Sequence, residues 1–147
     1  MTVSQAKRRV VADLLRQYFR QQITNDELVA KFPSNDNDKA LQPIKDVVWL
    51  FYSDSYTHYM FDATKAKLEI RNLFERCVLF LDNDYEYEWP PLKVSLLDSV
   101  RNLIGKKRGT FLSIRELTQD KDFNLWPFKR SEDVEMARLK SCPKDVL

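Results

Sequence analysis

Glycine is nearly missing: Gly105 and Gly109 are the only two in 147 residues. Tight hairpins depend on positive φ, which glycine reaches most readily, so β-meanders and sandwiches are disfavoured. Phosphate cradles need several glycines in one short loop, which excludes a P-loop and a dinucleotide fingerprint. Two cysteines occur, Cys77 and Cys142, without metal or redox spacing, and His58 is the only histidine. Long apolar runs are also lacking. The longest, residues 77–81, is far shorter than the roughly 20 residues of a membrane helix, and it holds Cys77 as it would a buried free thiol. The opening residues MTVSQAKRRV carry no apolar stretch with a small-residue cleavage site, so no export signal is expected. A reducing, cytoplasmic setting fits these features best. Charge of one sign is scarce as well: 24 basic and 22 acidic side chains leave a net charge of +2, too little for a nucleic-acid-binding field.

What is present is apolar surface in helical register. Hydrophobic residues make up 44% and aromatics 12%, enough to offset the entropy of ordering one domain of this length. Over 4–22, Ala6, Val10, Leu14 and Tyr18 recur with Val11, Leu15 and Phe19 beside them, which predicts a helix. Lys7, Arg8, Arg16 and Arg20 are expected on its solvated side. Thr24 followed by Glu27 is a capping box opening a short helix that ends before Pro33. The turn-forming residues 34–38 precede a second long helix over about 40–55, carrying Ile44, Val47, Val48 and Phe51. Asp62 or Thr64 can cap a third, with Ala66, Ile70, Leu73, Phe74, Cys77 and Leu81 on its core face. The segment 82–91, DNDYEYEWPP, reads as extended, and Leu96, Leu97, Val100, Leu103 and Ile104 restore the helical period up to Gly105. A short helix over 112–117, an extended 123–128, a final helix capped by Ser131 and a frayed tail from 141 complete the chain. The expected fold is mainly α: four longer helices in a compact domain, closed by short helices and extended segments.

Chemical candidates are few. Asp82, Asp84, Glu86 and Glu88 alternate with Tyr85, Tyr87 and Trp89, so on extended backbone the acids share one side and the rings the other. A calcium loop would need glycine where Tyr87 stands and a bidentate glutamate where Lys93 stands, so no metal is expected there. The acids, with Tyr85 and Tyr87, are instead the candidate surface for a basic protein partner. His58 could serve an enzyme with an acidic cleft, but no serine or cysteine sits in a nucleophile motif, and a hydrogen-bonded structural histidine is the simpler reading. Lys106, Lys107 and Arg108 form a basic knuckle able to touch a few phosphates, too few charges for a nucleic-acid footprint. No catalytic residue, cofactor or membrane contact is expected, and the oligomeric state is left open.

The stretches ITNDELVAKFP, DVVWLFYSD, RCVLFLDNDYEYEWPP and FNLWPFKRSED together resemble a group of short uncharacterised bacterial proteins, over about residues 10–138. The most specific parts are Tyr87 to Pro90 and Trp126 to Phe128. The resemblance implies a bacterial, cytoplasmic protein and transfers no activity. In both motifs a large ring precedes proline, which favours extended backbone. Trp89 with Pro90, and Trp126 with Pro127 and Phe128, are therefore expected to act as structural wedges, with nearby Asp or Glu accepting from the indoles. A noncatalytic adaptor or immunity-type domain is the leading expectation.

Overall fold

A computed structural model of the chain describes residues 3–34, 37–51, 53, 55–89, 124–141 and 146–147. Of these, 59% are helical and none lies in a strand, so the fold is mainly α. The helices are α1 (Gln5–Phe19), α2 (Asn25–Lys31), α3 (Leu41–Val48) with a 3-10 turn at Trp49–Phe51, α4 (Asp62–Lys65), α5 (Leu68–Leu81) and α6 (Ser131–Lys140). The expected helices over 96–104 and 112–117 lie outside the described residues, as do Pro90, Cys142 and residues 106–108.

The principal contact is between α1 and α5, with α2 against α1 and α6 against α5. Val11, Ala12, Leu15, Tyr18 and Phe19 of α1 meet Ile70, Leu73, Phe74, Cys77, Val78 and Leu81 of α5 in one continuous core, which α3 extends through Leu41, Ile44, Val47 and Val48. Phe74 is central, with ring centroids 5.5 Å from Phe19 and 5.6 Å from Phe51. Burial of this kind is worth about 1.5–3 kcal/mol per large apolar side chain.

The stripe on α1 differs from the sequence expectation. Val10 is exposed, as is Ala6, while Arg8 is only 1% exposed. Arg8 stands three and four residues before Val11 and Ala12, which places it on the core face of the helix. The expectation of a solvated Arg8 is therefore corrected: it has a buried partner, Asp38. Its Nε donates to Asp38 Oδ2 at 2.6 Å and its Nη2 to Oδ1 at 2.9 Å.

The end of α1 is sharply defined. The Gln21 N–H donates to the Tyr18 carbonyl and the Gln22 N–H to the Gln17 carbonyl, a Schellman pattern. Gln21 itself takes the left-handed conformation, φ 59°, that glycine usually supplies. The predicted capping box follows: Thr24 Oγ1 accepts from the Glu27 N–H, and Glu27 Oε2 accepts from the Thr24 N–H.

Two boundaries depart from expectation. The second long helix is α-helical only to Val48 and 3-10 through Phe51, and the Ser53 N–H donates to the His58 ring instead of continuing a helix. The third is broken at Lys67, which is extended, so α4 is a separate turn and Ala66 is exposed. No residue of α4 is buried, so the core does not hold it in line with α5. Of the tail expected to fray from 141, residues 142–145 lie outside the described residues; Val146 is buried with Arg16 Nε donating to its carbonyl at 3.0 Å, and Arg20 Nε donates to the main-chain oxygen of Leu147. No described helix is long and apolar enough to cross a membrane.

Candidate functional site

After α5, residues 84–88 form neither helix nor turn, and burial alternates along them as the sequence does. Asp84, Glu86 and Glu88 are exposed; Tyr85, Tyr87 and Trp89 are half-buried against the core. The inward side is densely tied. Phe80 sits among Tyr85, Tyr87 and Phe128, with ring centroids 6.3, 6.3 and 5.2 Å away. Arg8 Nη1 donates to the carbonyls of Tyr85, at 2.7 Å, and Asn83, at 3.2 Å, and its guanidinium lies over the Phe80 ring. One buried arginine thus joins α1, the Asp38 turn and the acidic segment.

The Trp-Pro-Phe motif forms the other wall. Trp126, Pro127 and Phe128 are buried, Trp126 completely. The expected extended stretch is corrected: residues 124–127 form a turn closed by the Phe128 N–H on the Leu125 carbonyl, with a cis bond between Trp126 and Pro127. The indole partners also differ from expectation. Trp126 Nε1 donates to the Tyr87 hydroxyl and Trp89 Nε1 to the Phe128 carbonyl, both at 3.0 Å, so a phenol and a main-chain oxygen stand where carboxylates were anticipated. Arg76 Nε donates to the Trp126 carbonyl, fastening the turn to α5. Trp89 is half-buried, and Lys129 lies 4.6 Å over its ring. Burial pushes the Tyr87 phenol up to about 12, against the smaller opposing effect of the Trp126 N–H. At neutral pH it is a neutral hydroxyl that can accept from the indole.

The six candidate partner-binding residues therefore divide. Tyr85 and Tyr87 turn toward the core, and Asp82 pairs with Arg16 of α1. Asp84, Glu86 and Glu88 form an outward edge without a cationic partner among the described residues. Among those residues there is also no group of three or more His, Cys, Asp or Glu side chains placed to hold a metal.

His58 lies elsewhere, beyond the C-terminal end of α1. Its Nδ1 faces the Tyr59 carbonyl at 2.6 Å and its Nε2 accepts from the Ser53 N–H at 2.8 Å, so the neutral imidazole is protonated on Nδ1. Its own N–H and carbonyl pair with Asn25 Oδ1 and the Asn25 N–H. The Arg8 anchor of the acidic segment and the Gln21 anchor of the His58 loop stand at opposite ends of a 15-residue helix, on the order of 20 Å apart at 1.5 Å per residue. The fold does not join them into one cleft. Cys77 is buried, and desolvation pushes its thiol up to about 12, which leaves it inert as a nucleophile.

The aromatic loop around His58 carries a feature that the single-histidine reading passed over. Tyr56 and Phe61 are exposed and pack against the imidazole, and Tyr59, next to His58 in sequence, is exposed as well. The signal was present in SYTHYMF, whose rings cluster within six residues. Comparison with family models, with curated proteins and with solved structures finds no match to this chain.

Proposed function

We propose that this chain is a noncatalytic protein-interaction domain, of adaptor or immunity type, that meets a basic surface on its partner through Asp84, Glu86 and Glu88. The observation that supports it most is the alternation over 84–89: the rings anchor the segment to the core while three carboxylates are presented outward with no described cation to neutralise them. A backbone already held by Arg8 and the Phe80 cluster loses little entropy on binding, and charge complementarity of this kind sets register and speeds encounter. A bacterial, cytoplasmic setting belongs to the same reading, supported by the buried free thiol of Cys77 and by the resemblance carried by the Tyr-Glu-Trp-Pro and Trp-Pro-Phe motifs. For catalysis, the imidazole of His58 already holds main-chain groups at both nitrogens, which leaves the enzyme reading without an observation in its favour.

The test is affinity purification of the tagged chain from its own host at moderate salt, beside D84K/E86K/E88K. The expected result is a stoichiometric protein with the wild type that is lost with the triple variant while Tm is unchanged. A partner retained by the triple variant would refute the acidic edge, and co-purification of nucleic acid alone would refute the protein-interaction reading.

A further inference from the structure

The segment after Ser55 leaves large rings in water where a chain of this size normally buries them. From Thr57 burial alternates along the chain: His58 and Met60 are buried, Tyr59 and Phe61 exposed. Tyr56 is 55% exposed, Tyr59 52% and Phe61 37%. Tyr and Phe exposed together on one short segment are unusual for a surface with no partner and typical of interface anchors.

The rings stand on a rigid base. Asn25, fully buried, donates from Nδ2 to the carbonyls of Ser53, at 3.0 Å, and Tyr56, at 3.1 Å, and accepts the His58 N–H on Oδ1. Gln21 Nε2 donates to the Met60 carbonyl at 2.8 Å. Phe61 stacks on His58 with centroids 4.3 Å apart and planes 14° from parallel, and Tyr56 packs 5.2 Å from the same imidazole. Two carboxylates border this surface. Asp26 accepts from the Thr57 hydroxyl, and Asp62, next to Phe61, accepts from Gln21 Nε2 at 2.7 Å. Both donors are neutral, so the carboxylates are held in place without being neutralised, and neither has a cationic partner among the described residues.

Exposed π faces bordered by fixed, uncompensated carboxylates suit one side chain in particular. A guanidinium is planar, stacks on aromatic rings and pairs with carboxylates through a rigid fork of donors, whereas an ammonium is a compact and strongly hydrated charge. We propose that Tyr56, Tyr59 and Phe61, with Asp26 and Asp62, form a docking platform for an arginine-rich segment of a partner protein. The platform is separate from the acidic edge at Asp84, Glu86 and Glu88 and does not depend on it.

The experiment titrates the full chain with a fluorescent peptide of about eight arginines alternating with serine, against the same peptide with lysine and against oligothymidylate. The arginine peptide is expected to bind more tightly than the lysine peptide. Y56L/Y59L, which keeps apolar area and charge but removes the π faces, is expected to weaken binding about tenfold, and D26N/D62N to weaken it comparably with a larger loss at low salt. Both variants should keep the wild-type Tm, and D84K/E86K/E88K should bind the peptide as the wild type does. Equal affinity for the lysine peptide, unchanged binding by Y56L/Y59L, or loss of binding only in D84K/E86K/E88K would overturn the proposal, since the peptide would then follow acidic charge alone. Tighter binding of oligothymidylate that is lost in Y56L/Y59L would also overturn it, by showing that the rings stack bases.

Discussion

Asp38→Asn is the substitution with the clearest energetic consequence. Arg8 and Asp38 are 1% and 2% exposed at the side chain and meet through two hydrogen bonds; Asp38 also accepts the N–H groups of Ser4, at 3.0 Å, and Ala40, at 3.1 Å. Asparagine keeps the shape and one acceptor but removes the charge, leaving a guanidinium out of water with no counter-ion, held by that oxygen and the Asn83 and Tyr85 carbonyls. Breaking a buried pair on one side costs about 3–5 kcal/mol, mostly the desolvation of the charge left behind. Because the remaining carbonyls still receive Arg8, the lower end, about 3 kcal/mol, is expected, which for a domain of this size lowers Tm by about 10 °C. Arg8→Met should cost a similar amount, and R8M/D38N less than the sum by at least about 2 kcal/mol, since neither charge is then buried. Urea unfolding of the four proteins at constant m measures the cycle. Additive losses, or a D38N cost below about 1 kcal/mol, would refute the picture of a buried ionic lock.

The same pair sets a pH dependence: burial raises the Asp38 carboxyl, but the Arg8 hydrogen bond, the Ala40 N–H and the Arg8 charge outweigh it and hold the group below 3.8 when folded. A depressed folded pKa contributes stability that is present above the unfolded value of about 3.9 and is lost as pH falls through the folded value, so wild type should lose stability below about pH 4 more steeply than D38N. Trp126→Ala should cost about 3–5 kcal/mol in urea unfolding, whereas Trp89→Ala, at a half-buried site, should cost less; equal losses would contradict the difference in burial. At Gln21, glycine and alanine both lose the side-chain bonds to Met60 and Asp62, but only glycine also relieves a left-handed conformation worth about 1 kcal/mol, so Q21G should be more stable than Q21A by about that amount in urea unfolding. In C142S, Cys77 should resist a thiol reagent at pH 8 until the protein unfolds, because its pKa is pushed up to about 12; prompt labelling of the native protein would place the thiol outside the core.

Features that depend on neighbours along the chain could be read from the sequence. The Thr24 and Glu27 box, the core face of α5 from Ile70 to Leu81, and the alternation of acids and rings over 84–89 all follow from spacing alone, because side-chain direction repeats every 3.6 residues in a helix and every two in extended backbone. The register read from Ala6, Val10, Leu14 and Tyr18 puts Arg8 on the solvated side of α1, and that expectation is reversed by Asp38, 30 residues away, and by carbonyls more than 70 residues away. Tertiary structure likewise decided the break at Lys67, the turn at 124–127 and the indole partners, since each depends on which groups the packed helices bring within hydrogen-bond reach. Whether a ring is core or surface is settled in the same way: Tyr18 and Tyr59 are the same residue type, yet one is buried against α5 and the other is held in water by a loop that Asn25 fixes from beneath.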